Sequence, residues 1–484
     1  MRTNSLTLRS ASDGSVRALL GAAPLAAPLG TVLLALLAVS ACGGDGKDGP
    51  CTLGSNDGCD DGQVCEEVVG GENACFAPVT IAGRVFDTAD DAAIANATVV
   101  ALDANGGARS NVVRSAADGT YALPVPTRRD AEGVPVADAV TLRVSAAGYQ
   151  TFPTAPRTAL PLQLGDAVAS DEGYVLMNAA SDVGLVSIGV AGGTIEGSVS
   201  GPAELVGGVL VVAEQGGVAV SSAVSGSDGD FVLFNVPNGS TVLAGYRAGV
   251  VIAPETVDAT GALVDVVLDA TTDGVARVSG SVNIVNASGG AVTSVILAVA
   301  STFDEDAARG ETPAGLRVAN VSNAFTFEGV PPGRYAVLAA FENDDLVRDP
   351  DTSIAGTQIV FVDVAAGADV SLDTSFKVTG ALTVRSPGAD GVEVIGAGDP
   401  TFVWADDSSE DGYELVVVDA LGDVVHTADV GGVSGSADVS YTWTGAALEP
   451  GMIYQFRVKS FRERTGRTYI SATEDLRGVF VYQP

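Results

Sequence analysis

Four cysteines within 25 residues, Cys51, Cys59, Cys65 and Cys75, form the densest group of reactive side chains in the chain. Thiols so placed can pair as disulfides or hold a metal ion. The segment around them is full of Gly, Asp and Asn and has almost no apolar core, so burial alone does not keep it folded. The intervening stretches of seven, five and nine residues lack the close cysteine pairs that structural zinc takes. Two disulfides are expected, and three pairings stay open. Carboxylates come next. The chain carries 60 acidic and 25 basic residues, a net charge of −35. Asp57, Asp60 and Asp61, with Glu66 and Glu67 close by, and the pair Asp228 and Asp230, are candidate calcium ligands, although neither group matches an EF-hand loop. For the first group a solvated acidic spacer is the plainer reading. Paired carboxylates can also hydrolyse glycosides, but no aromatic-lined cleft is evident. His426 is the sole histidine, so a multi-histidine metal centre is excluded. The chain has no Gly-x-Ser-x-Gly elbow and no Gly-rich phosphate loop with its lysine. No catalytic set emerges, and the expectation is a non-enzyme without a cofactor, calcium apart. The acidic balance excludes a nucleic-acid partner, which needs convergent Lys and Arg.

The N-terminus explains the fifth cysteine. Arg2, Arg9 and Arg17 precede a run without charge, Ala18 to Ala41, whose core is Val32 to Val39. A basic start, an apolar stretch and small residues before a cut site make an export signal. The stretch is short for a membrane span, which wants about 20 apolar residues, and Pro24 and Pro28 interrupt its front. Val39-Ser40-Ala41-Cys42 resembles the lipobox of bacterial lipoproteins. That resemblance implies diacylation of the Cys42 thiol, cleavage before it, and acylation of the new amine. Two or more acyl chains hold a protein durably on a membrane, at about 0.8 kcal/mol per buried CH₂. Gly43, where an acidic residue often marks inner-membrane retention, favours the outer membrane. The cysteine-rich run 58–65 resembles the spacers near the start of many myxobacterial and related surface lipoproteins, which implies a stalk element.

The elements that follow are short. Runs of Val, Ile, Leu, Phe and Tyr recur between Gly, Asp and Asn clusters, the signature of an all-β sandwich or barrel. After processing about 440 residues remain, too many for one core. Three ordered copies are visible. The first has Gly83-Arg84-Val85, then Ala97 to Leu102, then Asp118-Gly119-Thr120-Tyr121. The second has Gly197-Ser198-Val199, then Val209 to Ala213, then Asp228-Gly229-Asp230-Phe231. The third has Gly280-Ser281-Val282, then Val295 to Val299, then Asn323-Ala324-Phe325. Gly119 and Gly229 are turn residues with access to positive φ. Asn323 occupies the matching place, and Asn tolerates that region better than most residues. Tyr121, Phe231 and Phe325 are expected to point into the core. Val236-Pro237-Asn238-Gly239 and Val330-Pro331-Pro332-Gly333 turn the chain again.

This order resembles the carboxypeptidase regulatory-like family with its prealbumin-like fold, over roughly residues 79–378. The resemblance implies seven-stranded Greek-key sandwiches used as accessory, stalk or binding modules. The first copy departs from it, since Val125-Pro126 leads into a charged stretch, Thr127 to Glu132. The third carries an insertion, Phe303 to Arg317, with Asp304, Glu305, Asp306, Arg309 and Glu311. Loops of this kind often hold binding residues; a plain surface loop is the simpler reading. Related stalk modules are tied by Lys–Asn isopeptide bonds, but residues 79–376 contain no lysine, so the repeats cannot form that bond internally.

Residues 380–484 change character. Ser386-Pro387, Trp404 on an early strand, and Leu448-Glu449-Pro450-Gly451 leading to Tyr454, Phe456 and Val458 resemble a fibronectin type III-like domain. That implies Trp404 in the core and Tyr454 near a corner. Trp443, two residues after Tyr441, is a candidate exposed aromatic for a ligand. The expected division is a signal peptide at 1–41, an acylated Cys42 with a disulfide-rich acidic spacer at 42–78, β-sandwiches at 79–192, 193–272 and 273–378, and the fibronectin-like sandwich at 379–484. The expected function is a lipid-anchored structural or adhesive stalk at the outer membrane. Its expected partners are the membrane and polysaccharide or envelope proteins. The alternatives are a carbohydrate-binding protein and a lipoprotein subunit of an envelope complex.

Overall fold

Alternating apolar residues in short runs make strands with one buried face, and the described residues are almost entirely strand and turn. The computed structural model of the chain describes residues 51–53 and 58–484, less 172, 191, 306–307, 340–343, 349–355, 408 and 434–436. The signal segment, Cys42 and Asp57 lie outside the described residues.

Each repeat is built on one long strand with a central glycine: Val79–Asp87, Gly193–Ser200 and Ala276–Val285. Each pairs antiparallel with the strand that carries the aromatic residue, Thr120–Val125, Asp230–Val236 or Ala324–Val330. The register sets Gly83 opposite Tyr121, Gly197 opposite Phe231, and Gly280 opposite Phe325. The aromatic side chain lies across the glycine. A Cβ at Gly197 would stand 2.6 Å from the Phe231 ring, and one at Gly280 would stand 2.6 Å from the Phe325 ring. At Gly83 it would stand 2.9 Å from the Tyr121 hydroxyl. A ring laid over a cross-strand glycine restores contact the glycine alone lacks. Both halves of this pair are written in each repeat, but their partnership shows only in the register.

The turn before the aromatic strand is equally uniform. The amides of Val85, Val199 and Val282 donate to the carbonyls of Gly119, Gly229 and Asn323 at 2.8, 2.9 and 2.7 Å. Gly119 and Gly229 have φ of +80° and +90°, as expected. Asn323 keeps the hydrogen bond without the left-handed backbone, and the expectation for it is corrected: the turn between Arg317–Val321 and Ala324–Val330 is short, and the positive φ, +57°, falls on Asn320 inside the first of these strands, where its pairing with Thr293–Val299 shifts register.

The first sandwich places the Val79–Asp87 sheet, completed by the parallel partners Gly173–Leu176 and Val183–Leu185, against a sheet of Thr98–Leu102, Val113–Arg114, Ala139–Ser145 and Leu162–Gln163. The second is one continuous hydrogen-bonded sheet that folds over through Val250–Ile252. The third has two sheets, led by Ala276–Val285 and Thr293–Val299. The fourth sets Val384–Ser386, Thr401–Trp404 and Val439–Thr442 against a sheet centred on Gly412–Asp419 and Ile453–Glu463. Trp404 is fully buried on Tyr413, and Phe402 stacks on Phe456 at 4.8 Å. The Tyr454 hydroxyl accepts from the Glu449 amide at 2.9 Å, which fixes the corner.

Two of the cores cross from one sandwich to another. Val418, Ala420, Ile453 and Val479 of the fourth pack into the core of the first. Leu210, Val212, Ala244 and Tyr246 of the second pack into that of the third, where Tyr246 meets Tyr335 edge-on at 6.0 Å. Apolar area removed from water contributes roughly 25 cal/mol per Å², so these boundaries are bonded through their cores as well as their rims.

Candidate functional site

The cysteine-rich segment forms two disulfides, Cys51–Cys65 and Cys59–Cys75. Val64–Val68 makes a hairpin with Ala74–Phe76 and a parallel pair with Arg128–Arg129 of the first sandwich. Glu66 and Arg129 are both fully buried there, with Arg129 Nε 2.5 Å from Glu66 Oε2. Arg129 also donates to the Ala77 carbonyl at 2.8 Å, and Glu66 accepts from the Thr127 amide at 2.9 Å. Glu66 therefore leaves the acidic group in which calcium was sought. The charged stretch Thr127 to Glu132 is where the segment docks.

The calcium candidates among the described residues do not converge. Asp60 and Asp61 are exposed, and Asp228 accepts the Asp230 amide at 3.2 Å in an ordinary turn. Among the described residues no three carboxylates come close enough to share an ion. The sulfurs of Cys51, Cys59 and Cys75 do come close, and all are in disulfides.

Trp443 is not an exposed platform. It is 5% exposed, packs edge-on against Phe402 at 6.1 Å, and its indole N–H donates to the Ala446 carbonyl at 2.8 Å. The period-two spacing puts Val439, Tyr441 and Trp443 on one face, and that face turns inward. Tyr441 is half-buried. Its hydroxyl bonds to His426 Nε2 at 2.8 Å and to Thr444 Oγ1 at 2.5 Å. His426 thus bridges the two sheets of the sandwich through the Tyr441 hydroxyl.

One cluster of polar side chains lies within the fourth sandwich, Arg467 with Glu414, Asp429 and Glu463; others sit where sandwiches meet. Asn235 of the second, at φ +59°, takes the Gly148 amide at 2.7 Å and donates to the carbonyls of Ala146 and Tyr149 at 3.0 and 2.8 Å. Arg143 of the first donates to Ser222 O and Oγ of the second, both at 2.8 Å, and to Glu311 of the third at 3.3 Å. Glu311 also accepts from the Ser222 hydroxyl. Arg157 of the first donates to the carbonyls of Gly184 and Leu421 and lies 3.4 Å from Asp423 of the fourth; burial pushes its pKa down. The insertion of the third repeat is thus a clasp. Glu311 reaches the first and second sandwiches, while Arg309 pairs with Asp475 of the fourth. Nothing periodic marks these residues, whose hydrogen-bond partners on other sandwiches lie 79 to 264 positions away.

Asn235→Gly isolates one junction, because glycine keeps the left-handed backbone and removes only the side-chain bonds. The expected cost is about 1–2 kcal/mol in urea unfolding. Asn235→Ala costs about 1 kcal/mol more, for the strained φ. Equal losses for the two variants would show that backbone strain plays no part.

No family model matches the chain, and no curated protein matches it. Solved structures do. The Bacillus anthracis TIE protein matches at 9% identity over 83% of this chain and 72% of its own, with a TM-score of 0.15. The shaft pilin SpaA of Lactobacillus rhamnosus GG matches at 10% identity over 40% of this chain and 97% of its own, with a TM-score of 0.16. BcpA, the major pilin subunit of Bacillus cereus, matches at 10% identity over 63% of this chain and 99% of its own, with a TM-score of 0.17. Overlaps this loose define neither a family nor an activity.

Proposed function

We propose that the chain is a non-catalytic, lipid-anchored surface protein with a structural or adhesive role, held at the outer membrane through Cys42. One observation carries the non-catalytic part of this reading. Arg143 and Ser222, with Arg309 and Glu311 of the inserted loop, are engaged in holding sandwiches to one another. Tandem sandwiches docked through shared cores suit a body that presents a surface or bears load. The carbohydrate-binding alternative loses its tryptophan, because Trp443 is core. The envelope-complex alternative shares the anchor and differs only in partner. The test is metabolic labelling with a radioactive fatty acid, on the full chain and on Cys42→Ser. Label in the membrane fraction, lost together with membrane attachment in the variant, supports the reading. Attachment that persists unlabelled in the Cys42→Ser chain overturns the anchor.

A further inference from the structure

The boundary between the third and fourth sandwiches is held by two adjacent carboxylates in contrasting settings. Asp475 pairs with Arg309 of the third sandwich and, at 2.9 Å, with Arg457 of the fourth. Burial works against its charge, but the two guanidinium groups prevail and hold its pKa below the ordinary carboxylate value. Glu474 is 5% exposed, and its Oε1 accepts the Asp345 amide of the third sandwich at 2.8 Å. A cavity of about 280 Å³ lies beside it, lined also by Arg385, Asp390 and Arg477.

The charges around Glu474 are unbalanced. From the third sandwich, Asp344 and Asp345 face it with two carboxylates. From its own segment, Arg477 stands 3.5 Å away, but that guanidinium also serves the Ala389 carbonyl and lies 3.4 Å from Asp390. Across the cavity, Arg385 is engaged by Asp438 at 3.2 Å. An ionised Glu474 is thus buried against two like charges with one shared cation. A protonated Glu474 still accepts the Asp345 amide and loses the repulsion.

We propose that this boundary is a pH-responsive latch: protonated Glu474 holds the third and fourth sandwiches together, ionised Glu474 loosens them, and the Asp475 pairs keep the two in register throughout. Burial, ahead of every other influence, pushes the Glu474 pKa up to about 7. Because the closed state holds the proton more tightly than the open one, its extra stability is complete below the ordinary glutamate value, 4.5. That stability is lost as the pH rises to about 7. The difference corresponds to roughly 300-fold in the closing equilibrium.

The test is hydrogen exchange on the full chain at pH 5 and pH 8, corrected for intrinsic rates and read at the Asp345 amide. The expected result is at least tenfold less protection at pH 8 in the parent chain, and equal protection at both pH values in Glu474→Gln. A parent chain without pH dependence, or a Glu474→Gln chain that keeps it, overturns the latch. If Glu474→Gln does not fold, Asp345→Asn serves instead, since it removes one facing charge and keeps the amide. Its loss of protection between pH 5 and pH 8 is then smaller than the parent's, because the closed state repels the ionised Glu474 less. An undiminished loss overturns the proposal.

Discussion

Replacing Arg129 with leucine destabilises the first sandwich by about 3–5 kcal/mol, the usual result of leaving one member of a buried ion pair without its partner. Arg129 and Glu66 are 1% and 0% exposed, so water cannot take over the lost contact. The guanidinium also lies over the rings of Phe76 and Tyr174, at 5.1 and 5.4 Å. Burial already pushes the Glu66 pKa up, and the bonds from Arg129 and the Thr127 amide act against that rise. Without Arg129 the carboxyl rises further, so the loss is smaller at pH 5, where protonation relieves it, than at pH 8. The double variant Glu66→Leu, Arg129→Leu recovers part of the loss, because no charge is left stranded. Urea denaturation of the three variants decides the matter. A cost below about 1 kcal/mol for Arg129→Leu would show that the spacer contributes nothing to the sandwich it touches.

Arg143→Leu is the second large effect, and it shows in cooperativity as well as in stability. Arg143 joins three sandwiches through one nitrogen, and its side chain is 9% exposed while Glu311 is 30% exposed. Water can resolvate Glu311 but not the Ser222 carbonyl as readily, so the expected cost is about 2–3 kcal/mol, the range for hydrogen bonds to charged groups. Calorimetry of the parent chain should show strongly overlapping transitions, because cores and clasp couple the sandwiches. In Arg143→Leu those transitions separate. An unchanged calorimetric profile would mean that the shared apolar cores do the coupling alone.

Local patterns carried the β architecture into view. The alternation in Thr120 to Val125 and in Tyr454 to Val458, the glycine turns and the cysteine spacing all concern neighbours at fixed offsets, which a sequence displays directly. The disulfides themselves were legible; their pairing was not, because spacing in a segment without a core selects none of the three. Trp443 shows the limit of periodicity. It places residues on one face and does not say which face is wet. Arg129, Arg143 and Asn235 show a second limit. Each meets partners on another strand, segment or sandwich, so no repeat marks it, and Arg129 lay inside the charged stretch where the first copy departs from the other two. The inserted loop read most simply as plain surface, with binding as the alternative, and Arg309 and Glu311 in it meet the chain's own sandwiches.

The glycine opposite each aromatic residue has a consequence for how the repeats diverge. At Gly83 and Gly197 a Cβ would also meet backbone, the carbonyls of Ser181 and Val266 at 2.1 and 2.4 Å. No change of side chain elsewhere releases those two positions. At Gly280 the close atoms are side chains alone, from Phe325 and Leu372. Only there can the two characters drift together, a smaller ring residue first and then a larger residue in place of glycine. The third copy is therefore the one whose glycine is confined by side chains that could shrink, while backbone confines the other two.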